Sequence, residues 1–424
     1  MKKIASVLAI CAAGACLLGV SGCATASSGL SVDSYWYIDS YEGIQRTSVL
    51  DDPENIEDGR TPESLLYEIK FDEESGGNGA YKIEYNTDSE NFAGGDDAHF
   101  FRTVFYAEHY DWADVEHEEY ALTQSEADEL PEEDKQRMDG TAEVVYVLET
   151  EARISGTYVF IGNGADENAD ENRVEFADYM ITKTYFRSAR NGLQPVYSRQ
   201  EVHTTSPAAM SPTSPETMCE EIEYAYEVWY NFECTEAYYE YVDKGNAGAN
   251  LSDTVTGLQN SGHTLFDNNT LYTVIRGFSL SENFGTTISL MVPANSGIVN
   301  VNVIGAAQAE LDTETDADII SALTAAYGQP EIPEPEEGEE GEGEGDGEEG
   351  EEEKHSYLYY NPVSIRVSGN NLGVTQTAWF ASVEDEDNNT YRATMLRLTV
   401  PMSYALGTLE YRLAEVESVL GETA

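Results

Sequence analysis

The sequence predicts a mainly β protein, built as a large antiparallel curved sheet or sandwich with few helices and one C-terminal amphipathic helix. Apolar and polar residues alternate with a period of two along several tracts, which is the pattern of strands that bury one face. Clusters of Gly, Asn, Pro and Ser separate these tracts, as expected for turns between strands. The chain also has 28 tyrosines, and tyrosine is favoured in strands.

The clearest alternation lies in the first half of the chain. One tract is apolar at every second position: Ile222, Tyr224, Tyr226, Val228, Tyr230 and Phe232. Strands are predicted over residues 35–40, 67–71, 81–85, 100–108, 142–161, 174–187, 194–204 and 222–232. Gly and Asn in the turn 74–79 predict that 67–71 and 81–85 form a hairpin. Asn191-Gly192 predicts a second hairpin, and the polar stretch 123–139 is interpreted as a surface excursion.

The second half is richer in Gly, Asn and Thr. Further strands are predicted over residues 271–280, 286–292, 298–304, 357–367, 374–382 and 391–400. Residues 316–327 are predicted to form a helix, because acids lie near its start and Gly328 follows its end. The C-terminal helix is predicted from apolar residues at alternating steps of three and four, which place them on one helical face: Leu406, Leu409, Leu413, Val416 and Leu420.

These elements divide into two regions. Residues 34–245 are predicted to form an antiparallel β domain, and residues 246–424 a second β-rich region that carries the C-terminal helix. An acidic tract at 329–355 interrupts the second region, and 13 acids and 6 glycines lie among the 20 residues from 334 to 353. Such a segment repels itself and cannot bury apolar surface, so it is predicted to be a disordered insertion.

The N-terminus carries a secretion pattern. Lys2 and Lys3 precede an apolar run over 4–20, and Val20-Ser21-Gly22-Cys23 follows. This arrangement resembles the lipobox of bacterial lipoproteins. The resemblance implies that residues 1–22 are a signal peptide and that Cys23 receives lipid, with acyl chains such as palmitate. Residues 23–33 would then be a tether, and the protein would be lipid-anchored to the cell membrane on its extracytoplasmic face.

An ordinary cleaved signal peptide with an incidental cysteine is the alternative at this terminus. Beyond the signal, no apolar run is long enough to span a bilayer. The chain has 80 acids against 22 Lys and Arg, which gives a net charge of -58. This charge excludes nucleic acid as a partner, because phosphate binding needs a basic surface. Electrostatic attraction to anionic headgroups is excluded for the same reason.

Two cysteines remain in the mature chain. Cys11 and Cys16 lie in the signal, and Cys23 would carry lipid, so Cys219 and Cys234 are left. An exported compartment permits a disulfide between them, and two buried free thiols are the alternative. A cysteine-based active site is less favoured, because the sequence contains no organised His or Asn partner.

Motifs for catalysis and metal binding are incomplete throughout the chain. Gly-x-Ser-x-Gly is absent, His263 stands where a phosphate loop needs Lys, and His117 lacks the second His of a zinc-protease helix. The acidic loop 166–172 lacks the Gly and Glu that an EF-hand requires. The sequence therefore assigns no catalytic residue, metal ligand or cofactor, and it favours a non-enzymatic role. Loosely bound calcium at 166–172 or 384–389 stays open.

One tract carries a second family resemblance. Residues 179–204, with their Arg190-Asn191-Gly192-Leu193 turn, resemble part of the antiparallel half-barrel of the outer-membrane lipoprotein-carrier family. The resemblance implies a curved sheet with an apolar concave face that holds lipid acyl chains. The sequence lacks a specific motif of this family, so no functional residue is assigned from it.

Three functions follow from these patterns. The favoured one is non-catalytic binding of a hydrophobic or cell-envelope ligand, which in its carrier form predicts an open, apolar concave face. The alternative is a surface structural or protein-interaction lipoprotein, which predicts that a second layer covers that face. The less favoured one is a carbohydrate-active enzyme, which predicts two convergent carboxylates beside exposed aromatic rings in a groove.

Overall fold

The computed structural model describes residues 63–71, 79–86, 99–189, 192–208, 211–245, 250–258, 265–275, 285–293, 297–308, 311–327, 363–369, 375–384, 390–402 and 406–417. The signal peptide, Cys23, the tether, the strand predicted at 35–40 and the acidic insertion lie outside these residues. The first strands are β1 (Glu63–Phe71), β2 (Tyr81–Tyr85), β3 (Phe100–Asp111), β4 (Met138–Asp139), β5 (Ala142–Phe160), β6 (Arg173–Ala189), β7 (Gly192–Pro207), β8 (Cys219–Tyr230) and β9 (Glu236–Asp243).

The remaining strands are β10 (Leu251–Thr256), β11 (Leu265–Asp267), β12 (Gly285–Val292), β13 (Gly297–Gln308), β14 (Val363–Gly369), β15 (Gln376–Glu384), β16 (Thr390–Pro401) and β17 (Thr408–Glu417). The α-helices are short: α1 (Gln124–Glu129), α2 (Glu132–Lys135), α3 (Leu271–Ile275) and α4 (Ala317–Tyr327). Within the described ranges, none of the helices has the length and apolar character needed to cross a membrane. The prediction of a mainly β protein with a large antiparallel sheet is confirmed.

The strands form one sheet. From one edge to the other, the order is β10-β9-β8-β7-β6-β5-β3-β1-β17-β16-β15-β14-β13-β12-β11. All of these pairs are antiparallel except β11 with β12, which is parallel. The pairing of β1 with β17 joins the strands of 34–245 to those of 246–424, so both regions contribute to the same sheet.

The predicted hairpin between 67–71 and 81–85 is wrong. Both runs are strands, but β1 pairs with β3 and β17, whereas β2 pairs with β5. The long strand β5 explains this difference, because β3 lies along Ala142–Arg153 and β2 along Gly156–Phe160 on the same strand. A turn pattern in the sequence indicates only that two strands are close along the chain. Pairing between residues distant in sequence decides which strands are neighbours in the sheet. The hairpin predicted at Asn191-Gly192 is confirmed, because β6 pairs with β7.

The predicted C-terminal amphipathic helix is also wrong over residues 408–417, where the chain forms β17. Leu409, Tyr411 and Leu413 are all fully buried, so the burial has the period of a strand. Spacings of three and four between leucines fit a helix as well, but β17 gains backbone partners on both sides from β1 and β16. Leu420 lies outside the described residues.

The helix predicted at 316–327 is confirmed as α4, and an arginine of the sheet holds its first turn. The Arg412 guanidinium, on β17, donates to Asp316 at 2.9 Å and to Asp318 at 2.7 Å and 2.9 Å. Lys70 on β1 adds a contact of 3.1 Å to Asp318. Acids at the start of a helix are favoured by the helix dipole, and here they also fasten the helix to two strands.

The sheet curves around a short inner segment, residues 265–275, which contains β11, a 3-10 turn (Asn268–Thr270) and α3. Tyr226 of β8 and Gln376 of β15 both bond to this segment, although many strands separate them in the sheet. We call the surface against it the inner face and the opposite surface the outer face. The strand predicted at 271–280 is therefore wrong over 271–275, where all residues are buried and helical.

A smaller core lies on the outer face. Trp112, Val145, Val196, Trp229 and Phe232 pack there with residues of the excursion between β3 and β5. The excursion contains α1 and α2, which agrees with the surface excursion predicted at 123–139. Arg187 on β6 fastens it, because its guanidinium lies 3.0 Å from both Glu143 and Asp134.

Candidate functional site

Two surfaces are candidates for ligand binding, the inner face and a groove on the outer face. A buried polar network holds the inner segment on the inner face. The carboxylate of Asp267 accepts hydrogen bonds from Ser198 Oγ at 2.9 Å, Tyr230 OH at 2.7 Å and the Asn269 amide at 2.9 Å. Tyr226 OH donates to Asn269 Oδ1 at 3.1 Å. Burial raises the pKa of Asp267 to about 6, and these hydrogen bonds limit the rise.

One small cavity lies against this segment on the inner face. The cavity there has a volume of about 20 Å³ and is lined by Leu65, Tyr67, Phe101, Thr103, Leu148, Thr150, Asn269, Tyr272, Thr273 and Met395. Pockets for small molecules usually enclose about 300–1,000 Å³. This cavity is therefore too small to hold an acyl chain, and among the described residues the inner segment lies buried against the inner face.

The outer groove is much larger, with a volume of about 450 Å³. It crosses β3, β5, β6 and β7, where outward positions of adjacent strands come into register. One row contains Arg102, Glu151, Ile181 and Glu201, and the next row contains Val104, Glu149, Lys183 and Arg199. Thr150 and Thr182 complete the lining. The groove thus has an aliphatic floor with charged side chains of both signs around it.

Each carboxylate of the groove is paired with a cation. Glu149 lies 3.2 Å from Lys183, Glu151 lies 2.6 Å from Arg153, and Glu201 contacts Arg199. Since opposite charges alternate around the groove, its surface is close to neutral, although the whole chain carries a net charge of -58. A neutral or weakly charged ligand meets less repulsion here than on an acidic surface.

Tyrosine rings border the groove at one end. Tyr106 OH donates to Glu149 at 2.9 Å, and Lys183 Nζ lies 5.0 Å from the centre of the Tyr185 ring. Burial opposes the charged form of Lys183, but hydrogen bonds to Tyr185 and Tyr106 outweigh it and raise the pKa of the amine. Lys183 is therefore a fixed cation beside two half-buried aromatic rings.

The tyrosines continue as an aromatic row across the outer face. Ring centres lie 5.7 Å apart between Tyr185 and Tyr197, 5.8 Å between Tyr197 and Trp229, and 5.9 Å between Trp229 and Tyr238. His117, noted for its zinc-like sequence context, stacks on Tyr238 at 4.2 Å. The histidine thus extends the aromatic row.

Cys219 and Cys234 both carry free thiols in this structure. They lie near opposite ends of β8, which spans 12 residues. A strand rises about 3.3 Å per residue, whereas a disulfide needs Cα atoms within about 7 Å. This fold therefore separates the two cysteines too far for a bridge between them. Burial raises the pKa of both thiols to about 12, so they are protonated and unreactive near neutral pH.

The acidic loop 166–172 uses its oxygens for the turn itself. Asp166 Oδ1 accepts from the Asn168 amide at 3.1 Å, and the Asp166 carbonyl accepts from Asn172 at 2.8 Å. Glu167 pairs with Lys82 at 3.0 Å. Across the residues that the structure describes, no three His, Cys, Asp or Glu side chains come together to hold a metal ion. Residues 385–389 of the second acidic loop lie outside them.

The groove residues were not predicted from the sequence. Each of them falls on a predicted strand, but which strands are neighbours is decided by long-range pairing. One usable signal is present, because the chain has only 22 Lys and Arg and several of them stand at outward positions of three predicted strands. Because cations are few on this acidic chain, their positions indicate where a positive charge has a local electrostatic role.

Comparison with solved structures finds a distant structural likeness. No protein-family model matches the sequence, and no curated protein matches it. The crystal structure of a beta-barrel-like protein of the domain of unknown function DUF1849 from Brucella abortus aligns with a TM-score of 0.34 and 8% identity. The alignment covers 85% of this chain and 98% of that chain.

Proposed function

We propose that this protein is an exported, lipid-anchored protein that binds a cell-envelope saccharide in the outer groove without catalysis. The observation that carries the proposal is the groove itself. Its volume of about 450 Å³ lies in the range of small-molecule sites, and its aliphatic floor, paired charges and bordering tyrosines combine stacking with hydrogen bonding. The apolar faces of sugar rings fit aromatic rings, while their hydroxyls fit charged groups.

The ion pairs favour binding over catalysis. A glycoside hydrolase needs one carboxyl group that is free to donate a proton and a second one to act on the other side of the sugar. Glu149, Glu151 and Glu201 are already engaged with cations. We therefore assign no catalytic role to them.

A surface structural or protein-interaction role is the second candidate. It is supported by the covered inner face, where the cavity measures about 20 Å³. Binding of a hydrophobic ligand on the inner face has less support, because the inner segment would first have to break the hydrogen bonds that join Asp267 to Ser198 and Tyr230.

The groove is tested by blocking it. Ile181 on its floor is 40% exposed, and Val242 on β9 is 43% exposed and outside the groove. Ile181→Arg should weaken binding to soluble fragments of the bacterial envelope more than about tenfold in calorimetry, because the long cation fills the floor. Val242→Arg is the matched control and should bind as the wild type does. Equal binding by both variants, with unchanged melting temperatures, would place the ligand elsewhere.

The anchor is tested separately at Cys23. The lipobox pattern leads us to expect wild-type protein in the membrane fraction, with a lipid mass on its N-terminal peptide. Cys23→Ser should remove that mass and leave the protein unprocessed. A wild-type N-terminal peptide without lipid would contradict the anchor but leave the groove proposal intact.

A further inference from the structure

We infer that the ligand of the outer groove is an acidic saccharide whose carboxylate pairs with Arg102. The inference rests on the proposed function and adds the chemical class of the ligand.

Arg102 has no carboxylate partner among the described residues. Glu151 lies directly opposite Arg102 on the neighbouring strand, yet it binds Arg153 at 2.6 Å instead. The guanidinium of Arg102 lies 5.3 Å from the centre of the Phe100 ring. The groove therefore contains one guanidinium whose hydrogen-bond donors are open to a ligand.

The other cations of the groove are held by their own acids. Lys183 pairs with Glu149 at 3.2 Å and also lies 3.9 Å from Glu108. Arg199 contacts Glu201 and lies 3.8 Å from Glu227. Glu108 and Glu227 are therefore further acids beside Lys183 and Arg199. The two acids in the row of Arg102, Glu151 and Glu201, are paired with Arg153 and Arg199. An anionic group would therefore meet least competition at Arg102.

The geometry of the guanidinium and the charge of the chain both indicate which kind of anionic group Arg102 would bind. Arginine binds planar, two-oxygen groups through a pair of parallel hydrogen bonds, which suits a carboxylate. The chain carries a net charge of -58, so a singly charged carboxylate meets less repulsion than a doubly charged phosphate. Val104 and Ile181 beside Arg102 offer an apolar surface to the sugar ring.

Two disaccharides that differ in one carboxylate test the inference. The probes are N-acetylglucosamine linked to N-acetylmuramic acid, and chitobiose, which lacks the lactyl carboxylate. The full chain, solubilised in detergent, should bind the acidic disaccharide about tenfold more tightly than chitobiose at low salt, since a charge-assisted hydrogen-bond pair supplies that preference. Calorimetry at two salt concentrations measures both affinities.

Arg102→Gln should reduce this preference to about twofold, with a smaller loss of affinity for chitobiose than for the acidic disaccharide. Arg173→Gln is the control, because Arg173 pairs with Glu84 outside the groove. Equal affinity of the wild type for both sugars, or an unchanged preference in Arg102→Gln, would overturn the acidic ligand while the groove proposal stands. Absence of binding for both sugars would overturn both.

Discussion

Asp178 lies on the inner face of β6 and is almost fully buried. Its carboxylate is surrounded by neutral hydrogen-bond donors. Thr204 Oγ1 donates to its carboxylate at 2.8 Å, and so does the Thr205 amide at 2.8 Å. Burial raises the pKa of Asp178 to about 7, because these hydrogen bonds only partly replace water. The side chain thus titrates near neutral pH.

This residue makes stability depend on pH. Between its ordinary value of 3.8 and about 7, the folded protein keeps a proton that the unfolded chain loses. The stabilisation that comes from this retained proton is therefore fully present below pH 3.8. As the pH rises to about 7, the free energy of unfolding falls by about 4 kcal/mol in total. Asp178→Asn should remove this slope, so its stability relative to the wild type should increase from pH 4.5 to pH 7.5.

Denaturant unfolding across that pH range measures the effect. Asp253→Asn, at an exposed position of β10, is the control and should follow the wild-type curve. Parallel curves for Asp178→Asn and the wild type would mean that Asp178 is ionised in the folded protein throughout.

At the scale of elements, the inner segment decides what the inner face can do. Its residues 267–275 are all buried, although the run contains Asp, Asn and Thr as well as apolar residues. Buried polar groups of this kind need partners, and the network around Asp267 supplies them. The segment is therefore a specific second layer on the inner face.

Removing the centre of that network should loosen the layer. Asp267→Ala leaves the buried donors of Ser198 and Tyr230 without their acceptor, which should lower the free energy of unfolding by about 2–4 kcal/mol. Exposure of the inner face should also increase the fluorescence of an apolar dye such as ANS. Tyr230→Phe removes one hydrogen bond and should cost about 1 kcal/mol without dye binding. Asp267→Ala with wild-type stability would show that packing alone holds the segment.

At the scale of the whole molecule, the pairing of β1 with β17 makes one sheet from strands far apart in sequence. Tyr67 of β1 lies opposite Phe101 on one side and Leu413 on the other. Tyr67 OH also donates to the Met395 carbonyl at 2.9 Å on β16. Unfolding of one half therefore removes backbone and side-chain partners from the other, so the two halves should unfold together.

A cavity in β17 tests this coupling. Leu413 is 0% exposed, and Leu413→Ala should destabilise the fold by about 2–5 kcal/mol. Hydrogen exchange should then speed up by a similar factor in β8 and in β15. Leu251→Ala, at a leucine that is 42% exposed on β10, should change stability by less than about 0.5 kcal/mol. Faster exchange confined to residues 246–424 would mean that the halves unfold independently.

The sequence predicts where strands lie better than it predicts which strands pair with each other. Alternation predicted the positions of β3, β5, β6, β7 and β8 because the period of side chains is a local property of a strand. It failed for 271–275, a short apolar run buried on every side, where periodicity cannot separate helix from strand. The helix predicted from the leucine spacing at 408–417 was also wrong, because that spacing fits two periods and the neighbours β1 and β16 select the strand.

For the candidate site as well, the sequence supplies the residues, and the pairing of strands brings them together. The sequence contains the cations Arg102, Lys183 and Arg199, but strand register places them in one groove. The partner of Glu151, which leaves Arg102 open, is likewise a result of packing.

The sequence alone predicts the mainly β class, because the alternation of apolar and polar residues is a local property of each strand. It is also the sole basis for expecting lipidation at Cys23, because a secretion signal is read as a linear pattern. Tertiary contacts establish the pairing of β1 with β17, the covered inner face and the outer groove. Each of these depends on contacts between residues distant in the chain, and no local pattern specifies which distant residue will provide the partner.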